Sequence, residues 1–253
     1  CPSNQCTYRI DDKLWSAVGH SAQGQDIQLT VSGSSGRGAV FGTSNPVKVS
    51  FAPEDIKGGL YYFSPTIRGI KRVPLGASKP VDFISNGDET GCAGCHAVSR
   101  DGKKVAVEFG SGQTRTGSTV VDGINPKLRA FPLTPSIPWN FAWFNSGGDK
   151  LITNWTGTLK VRDAKSGAVL ETVQPAQIGG LGLGAMPEWS PDNKWLAFVR
   201  YTRASQYDFE LTDSGDIVVM PYNGGAFGSA VTVVAAKIGS EVHFWPSWSP
   251  DSK

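Results

Sequence analysis

Residues 92–96 read Cys-Ala-Gly-Cys-His, two thiols and an imidazole within one pentapeptide. Cysteines separated by two residues present both sulfurs on one side of a tight turn. That spacing suits thioether bonds to the two vinyl groups of a porphyrin, and the next residue, His96, then offers its imidazole to the iron. Ala93 and Gly94 are small, as a backbone lying against a porphyrin edge requires. The motif predicts one covalently attached haem c, with Cys92 and Cys95 as the attachment residues and His96 as the proximal iron ligand. Three other chemistries use the same residue types. A thioredoxin-type C-x-x-C wants a βαβ setting, which is not visible here. Zinc wants four ligands, and the remaining cysteines, Cys1 and Cys6, lie far upstream at an odd spacing. A structural Cys92–Cys95 disulfide with an incidental histidine is the third.

A six-coordinate iron needs a second axial ligand, and suitable donors are few: His20, His243, Met186 and Met220. Met186, in "GLGAMPEWSPD", is the preferred candidate, with His243, in "EVHFWPSWSPD", as runner-up. Methionine ligation opposite histidine raises the reduction potential, as suits an electron carrier. Met186 as plain core filler is the competing reading. Met220 reads as strand packing, and His20 belongs to the N-terminal segment. Trp139, Trp143 and Trp245 either flank a haem or fill the core. The glycine-rich "GGLGLGAM" lacks the strand–GxGxxG–helix setting of a dinucleotide site and suits close approach to a bulky neighbour.

What must hold these residues is a repeat. "HAVSRDGKKVAV" (96–107), "AWFNSGGDKLIT" (142–153), "PEWSPDNKWLAF" (187–198) and "PSWSPDSK" (246–253) align on Ser99, Asn145, Ser190 and Ser249, at separations of 46, 45 and 59 residues. A period of about 40–45 residues is that of a β-propeller blade, the last interval containing an insertion. In each repeat an apolar strand enters a turn in which Asp bonds its own backbone and Gly or Asn takes the strained dihedrals, and a β-branched or aromatic strand follows. Two hairpins, 158–173 and 216–234, supply further blade strands, and residues 58–76 read as the outer half of an earlier blade. The fold class is therefore all-β, a propeller over residues 58–253. Residues 1–57 form a β-rich N-terminal segment, either a small sandwich-like domain or strands wrapping the propeller. No stretch shows helical periodicity.

Composition narrows the partners. With 24 Lys and Arg against 22 Asp and Glu, the formal charge is +2, without a basic run, which argues against nucleic acid. No run approaches about 18 apolar residues, so no transmembrane segment is expected. The chain opens on Cys1 without an apolar leader and stops at "SWSPDSK", where the parallel motif continues into a strand. It reads as a processed product of a longer or truncated polypeptide. Four cysteines in two local pairs suit an oxidising compartment, with Cys1 either bonded to Cys6 or lipidated.

"CAGCHAVSRDGKKVAV" following "GGLYYFSPTIRGIKRVPLG", together with the "SPD-x-K" turns, resembles bacterial TolB-like propeller proteins that carry a single C-x-x-C-H. The resemblance implies a periplasmic or secreted monohaem protein, with Cys92 and Cys95 as haem attachment and His96 as proximal ligand. The expected function is single-electron transfer to a redox partner protein, within or beside a larger envelope assembly. Two alternatives stand: a haem enzyme or gas-binding protein with an open sixth site, and an envelope docking propeller in which haem is structural.

Overall fold

The computed structural model describes residues 9–34, 41–53, 58–85, 92–111, 114–201, 215–237, 241 and 243–253. Cys1 and Cys6 lie outside the described residues, and so does any bond between them. The chain divides into two compact units, residues 1–57 and 58–253.

The first unit contains helix α1 (Asp12–Ser21) and four short strands, β1 (Asp26–Leu29), β2 (Ser32–Ser34), β3 (Phe41–Thr43) and β4 (Val47–Ser50). Strand β1 pairs with β4, and β2 with β3, both antiparallel. The helix corrects the expectation of a segment without helical periodicity. Its start is fixed by Asp11, whose carboxylate accepts from the backbone N–H groups of Lys13 and Leu14. Asp12 in the first turn adds a negative charge where the helix dipole favours one. An apolar face of only a few residues is too short for a persuasive period, so the cap carries more of the signal than the hydrophobic pattern.

The second unit is a succession of antiparallel sheets. The first comprises β5 (Gly59–Ser64), β6 (Gly69–Pro74) and β7 (Val81–Ile84); the second, β8 (Ala93–Val98), β9 (Lys104–Ser111) and β10 (Thr114–Asp122). Four strands form the third: β11 (Phe141–Phe144), β12 (Lys150–Trp155), β13 (Thr158–Asp163) and β14 (Val169–Thr172). After the single turn of α2 (Pro175–Ile178), the fourth consists of β15 (Gly184–Trp189), β16 (Trp195–Tyr201), β17 (Gly215–Pro221) and β18 (Val231–Val234). Each sheet is a meander in chain order, as propeller blades are. The first three repeats and the hairpins expected from the sequence coincide with these strands, whereas residues 246–253 of the fourth repeat carry a turn without a strand.

The core lies between successive sheets. Ile70, Ile84, Val105 and Val107 fill the space between the first and second, and Ala106, Val120, Trp139, Phe144 and Leu151 that between the second and third. Ile152, Leu159, Trp189, Leu196 and Phe198 pack the third against the fourth. Fully burying one such aliphatic or aromatic side chain contributes about 1.5–3 kcal/mol, so the blade faces are where stability concentrates.

The repeat turns lock the blades together at one end. Ser99 and Ser190 each donate a side-chain hydrogen bond to the Asp two residues on and accept one from the backbone five residues on. Asn145 fills the same role with its amide, donating to Asp149 and accepting from the N–H groups of Asp149 and Lys150. Each turn also reaches the next. Lys104 Nζ donates to the Gly148 carbonyl at 2.6 Å, Ser146 N–H to Asn193 Oδ1 at 2.7 Å, and Asp192 N–H to Ser252 Oγ at 3.0 Å. Strands β8, β11 and β15, which enter these turns, are consequently neighbours, and the residues preceding each turn face one another.

Candidate functional site

Counting back four residues from the anchors Ser99, Asn145, Ser190 and Ser249 gives Cys95, Phe141, Met186 and Trp245; counting back three gives His96, Ala142, Pro187 and Pro246. All eight residues line one cavity of about 400 Å³. Phe63 of β5, Gly94, Trp143 and Glu188 complete its wall. The size falls in the range of small-molecule and cofactor sites, and the lining is apolar and aromatic with few polar groups, as such sites are.

Two bulges aim side chains into this space. Along β8 the register with β9 slips between Ala93 and His96, leaving one extra residue on the inner strand around Gly94 and Cys95. Along β15 the register with β16 slips between Ala185 and Glu188, so Met186 and Pro187 take the corresponding place. A bulge leaves a residue outside the ladder and redirects its side chain, and bulges concentrate beside functional sites. Met186 adopts φ 49° and Trp245, its counterpart one repeat on, φ 53°. A left-handed backbone at a residue with a Cβ costs about 1–3 kcal/mol and persists only where the surroundings impose it.

Met186 is 6% exposed and belongs to a cluster with Phe141, Ala185, Val199 and Tyr201, against which Cys95 packs. The Phe141 and Trp245 rings meet edge to face at 5.0 Å. Trp245 is 66% exposed, Phe63 41% and Trp143 39%, so the mouth of the cavity is an aromatic rim open to solvent. The glycine-rich approach to Met186 has a packing cause: a Cβ on Gly184 would stand 2.8 Å from the Phe198 ring.

Cys92 and Cys95 are not bonded to each other in a disulfide. Cys92 lies just before β8, where its carbonyl accepts from the Gly110 N–H, and it is not among the residues lining the cavity. Burial pushes its thiol pKa up; the Arg68 charge opposes this and Glu108 reinforces it. Among the described residues, no three His, Cys, Asp or Glu side chains converge as metal ligands. Glu188 is held by the Trp248 N–H at 3.3 Å and the Ser247 hydroxyl at 3.4 Å, and burial raises its pKa despite both bonds.

The other candidates lie elsewhere. His243 is not among the lining residues; its Nε2 is buried without a hydrogen-bond partner, and its charge favours the ionised form of Asp216. Met220 is fully buried in the core between the third and fourth sheets, and Trp139 in that between the second and third. His20 is in the last turn of α1, its Nδ1 2.8 Å from the Ser16 carbonyl. Phe63 and Phe141 are wall residues that motif reading missed. Phe141 was legible in principle, since it holds the same repeat step as Met186; Phe63 carried no such signal.

The donor set suits a flat apolar macrocycle that supplies its own equatorial ligands. His96 and Met186 offer one nitrogen and one sulfur from different blades, Cys95 is at the same wall, and aromatic rings surround them. Cys95, His96 and Met186 thus share a wall that a flat apolar ring would match, whereas Cys92 is not part of it.

No protein-family model matches the chain, and no curated protein matches it. Among solved structures, TolB from Acinetobacter baumannii is similar over 92% of this chain and 54% of its own, with a TM-score of 0.53 and 16% identity. A putative 6-phosphogluconolactonase from Bacteroides uniformis is similar over 89% of this chain and 69% of its own, at a TM-score of 0.44 and 16% identity. The chain thus spans about half the length of the TolB structure. No described helix is long and apolar enough to cross a membrane. At this identity the likeness to TolB speaks for the fold alone, and the fold is a TolB-like arrangement of propeller blades.

Proposed function

We propose that the chain is an extracytoplasmic monohaem c-type cytochrome domain that passes single electrons to a redox partner protein at the bacterial cell envelope. In this reading Cys92 and Cys95 hold the haem covalently, His96 is the proximal ligand and Met186 the distal one. When bound, the haem supplies the one-electron couple. The chain's own residues orient it, exclude water and tune it. Phe141, Ala142 and Pro187 keep the iron side dry, and the methionine ligand with the low-polarity wall favours the reduced state. Trp143, Trp245 and Phe63 leave one edge accessible at the rim. The observation that carries the reading is that Cys95, His96 and Met186 share one apolar cavity although 90 residues separate the histidine from the methionine.

The test is intact mass under denaturing conditions for protein exported through a cytochrome c maturation system. A gain of one haem over the polypeptide is expected, and an unmodified mass with a colourless preparation would overturn the proposal. Carbon monoxide then separates electron transfer from the enzymatic or gas-binding alternative. With Met186 on the iron the reduced spectrum resists change, whereas an open sixth site shifts it at once.

A further inference from the structure

We propose that a second cavity, at the turn end of the same strands, binds a free amino acid with an apolar side chain, its carboxylate on Arg100 and its ammonium on Glu188. The proposal goes beyond the haem reading and does not depend on it.

The repeat that places one ring of side chains around the first cavity places another nearer the turns. The residues just before the anchors, Val98, Phe144, Trp189 and Trp248, line a separate space of about 210 Å³. Arg100 and Ser146 enter it from the position just after the anchor. Trp143 and Glu188 line both cavities and so stand between them. Drug-sized pockets run to roughly 300–1,000 Å³, so the occupant of this one is small.

Its wall carries two opposite charges that do not meet. Arg100 is exposed and makes one hydrogen bond, to the Pro191 carbonyl at 3.5 Å. A guanidinium has five N–H donors, and no carboxylate pairs with this one among the described residues. Glu188 is 9% exposed. It receives only neutral donors, the Trp248 N–H and the Ser247 hydroxyl, both at Oε1, and among the described residues nothing donates to Oε2. A buried carboxylate is ordinarily matched by a cation or by a full set of donors. Trp189, in the same wall, is 3% exposed and its Nε1 has no hydrogen-bond partner.

A ligand with one negative charge would suit Arg100 but be opposed by Glu188, and a simple cation would meet the reverse. A molecule carrying both charges a short distance apart satisfies both. Its carboxylate takes paired N–H groups of the guanidinium, and its ammonium supplies the missing donor to Oε2. A quaternary ammonium has no N–H to give, which favours an amino acid over a betaine. The three indoles around these charges offer apolar surface to the side chain.

Isothermal titration calorimetry of the whole chain compares L-phenylalanine and L-leucine with three analogues of the former. Phenylpropionate lacks the ammonium, phenylethylamine lacks the carboxylate, and the trimethylated amino acid keeps the charge but loses its N–H groups. One-to-one binding of the amino acids is expected, with each analogue at least about tenfold weaker. Arg100→Gln should weaken phenylalanine to a similar degree and leave phenylethylamine unchanged. Glu188→Gln should weaken phenylalanine and spare phenylpropionate. Circular dichroism establishes that each variant keeps its β signal; if Glu188→Gln does not fold, Arg100→Gln and the analogues decide the matter. Phenylpropionate binding as tightly as phenylalanine would mark a plain anion site, and a tighter trimethylated ligand a betaine site; either overturns the proposal. So does the absence of saturable binding by both amino acids. None of Cys92, Cys95, His96 and Met186 lines this cavity, so a haem-free mass would sink the proposed function and leave this result standing.

Discussion

Cys95 and Met186 occupy the same step of two different blades, each four residues ahead of its turn serine, each in a strand bulge, and Cys95 packs against the cluster that contains Met186. An equivalent step carries Phe141 in the blade between them and Trp245 in the repeat that follows. One level of the repeat thus becomes the wall of one cavity, and its chemistry changes with the blade: thiol, phenyl, thioether, indole.

The left-handed backbone at Met186 separates its packing from its strain. Met186→Ala removes a buried side chain and should cost about 2–5 kcal/mol. Met186→Gly loses a similar contact but relieves φ 49°, and should be less destabilising than the alanine variant by about 1 kcal/mol. Urea denaturation of the three proteins measures the difference; a glycine variant clearly less stable than alanine would mean that the backbone is not strained there.

In protein carrying haem, Met186→Ala should lower the reduction potential and let carbon monoxide bind the reduced form rapidly, while His243→Ala should change neither. Spectroelectrochemistry and gas titration read both effects. The reverse pattern would transfer the distal role to His243.

The turn serines hold the blade ends. Ser190 is fully buried, donating to Asp192 at 2.6 Å and accepting from the Trp195 N–H at 2.9 Å. Ser190→Ala leaves that N–H without its partner and should cost about 1–3 kcal/mol by chemical denaturation.

Asp192 gives the fold an acid limb. The Ser190 hydroxyl, and then the Lys194 N–H, hold its carboxyl below the ordinary carboxylate range. A lowered folded-state pKa means that this stabilisation is present above the unfolded value near 3.8 and is lost as pH falls through the folded one. Asp192→Asn should therefore flatten the loss of thermal stability below about pH 4 while changing little at pH 7.

Gly69 tests the first blade. A Cβ there would stand 2.1 Å from the Ile84 carbonyl oxygen, at the irregularity in the β6–β7 pairing. Gly69→Ala should destabilise by about 1–3 kcal/mol, because backbone rather than a flexible side chain must move. A neutral effect would show that the β6–β7 pairing yields readily at this position.

The spacing of Ser99, Asn145 and Ser190 was enough to establish blades and their hairpins, because a turn that needs a side-chain cap and an Asp at fixed offsets leaves its pattern in the chain. Helix α1 escaped because a short element held by its Asp11 cap leaves hardly any period to detect. The pentapeptide at 92–96 drew attention to its residues by their types and spacing, and of its chemistry-bearing side chains Cys95 and His96 line the cavity. What no local pattern could supply was proximity. That Met186 rather than His243 shares the cavity with Cys95 and His96, that Trp139 is core while Trp143 and Trp245 are rim, and that Phe63 reaches the same wall all depend on which strands are neighbours and where bulges turn them. Pairing register and inter-blade packing are relations between segments distant along the chain, and only the assembled sheets decide them.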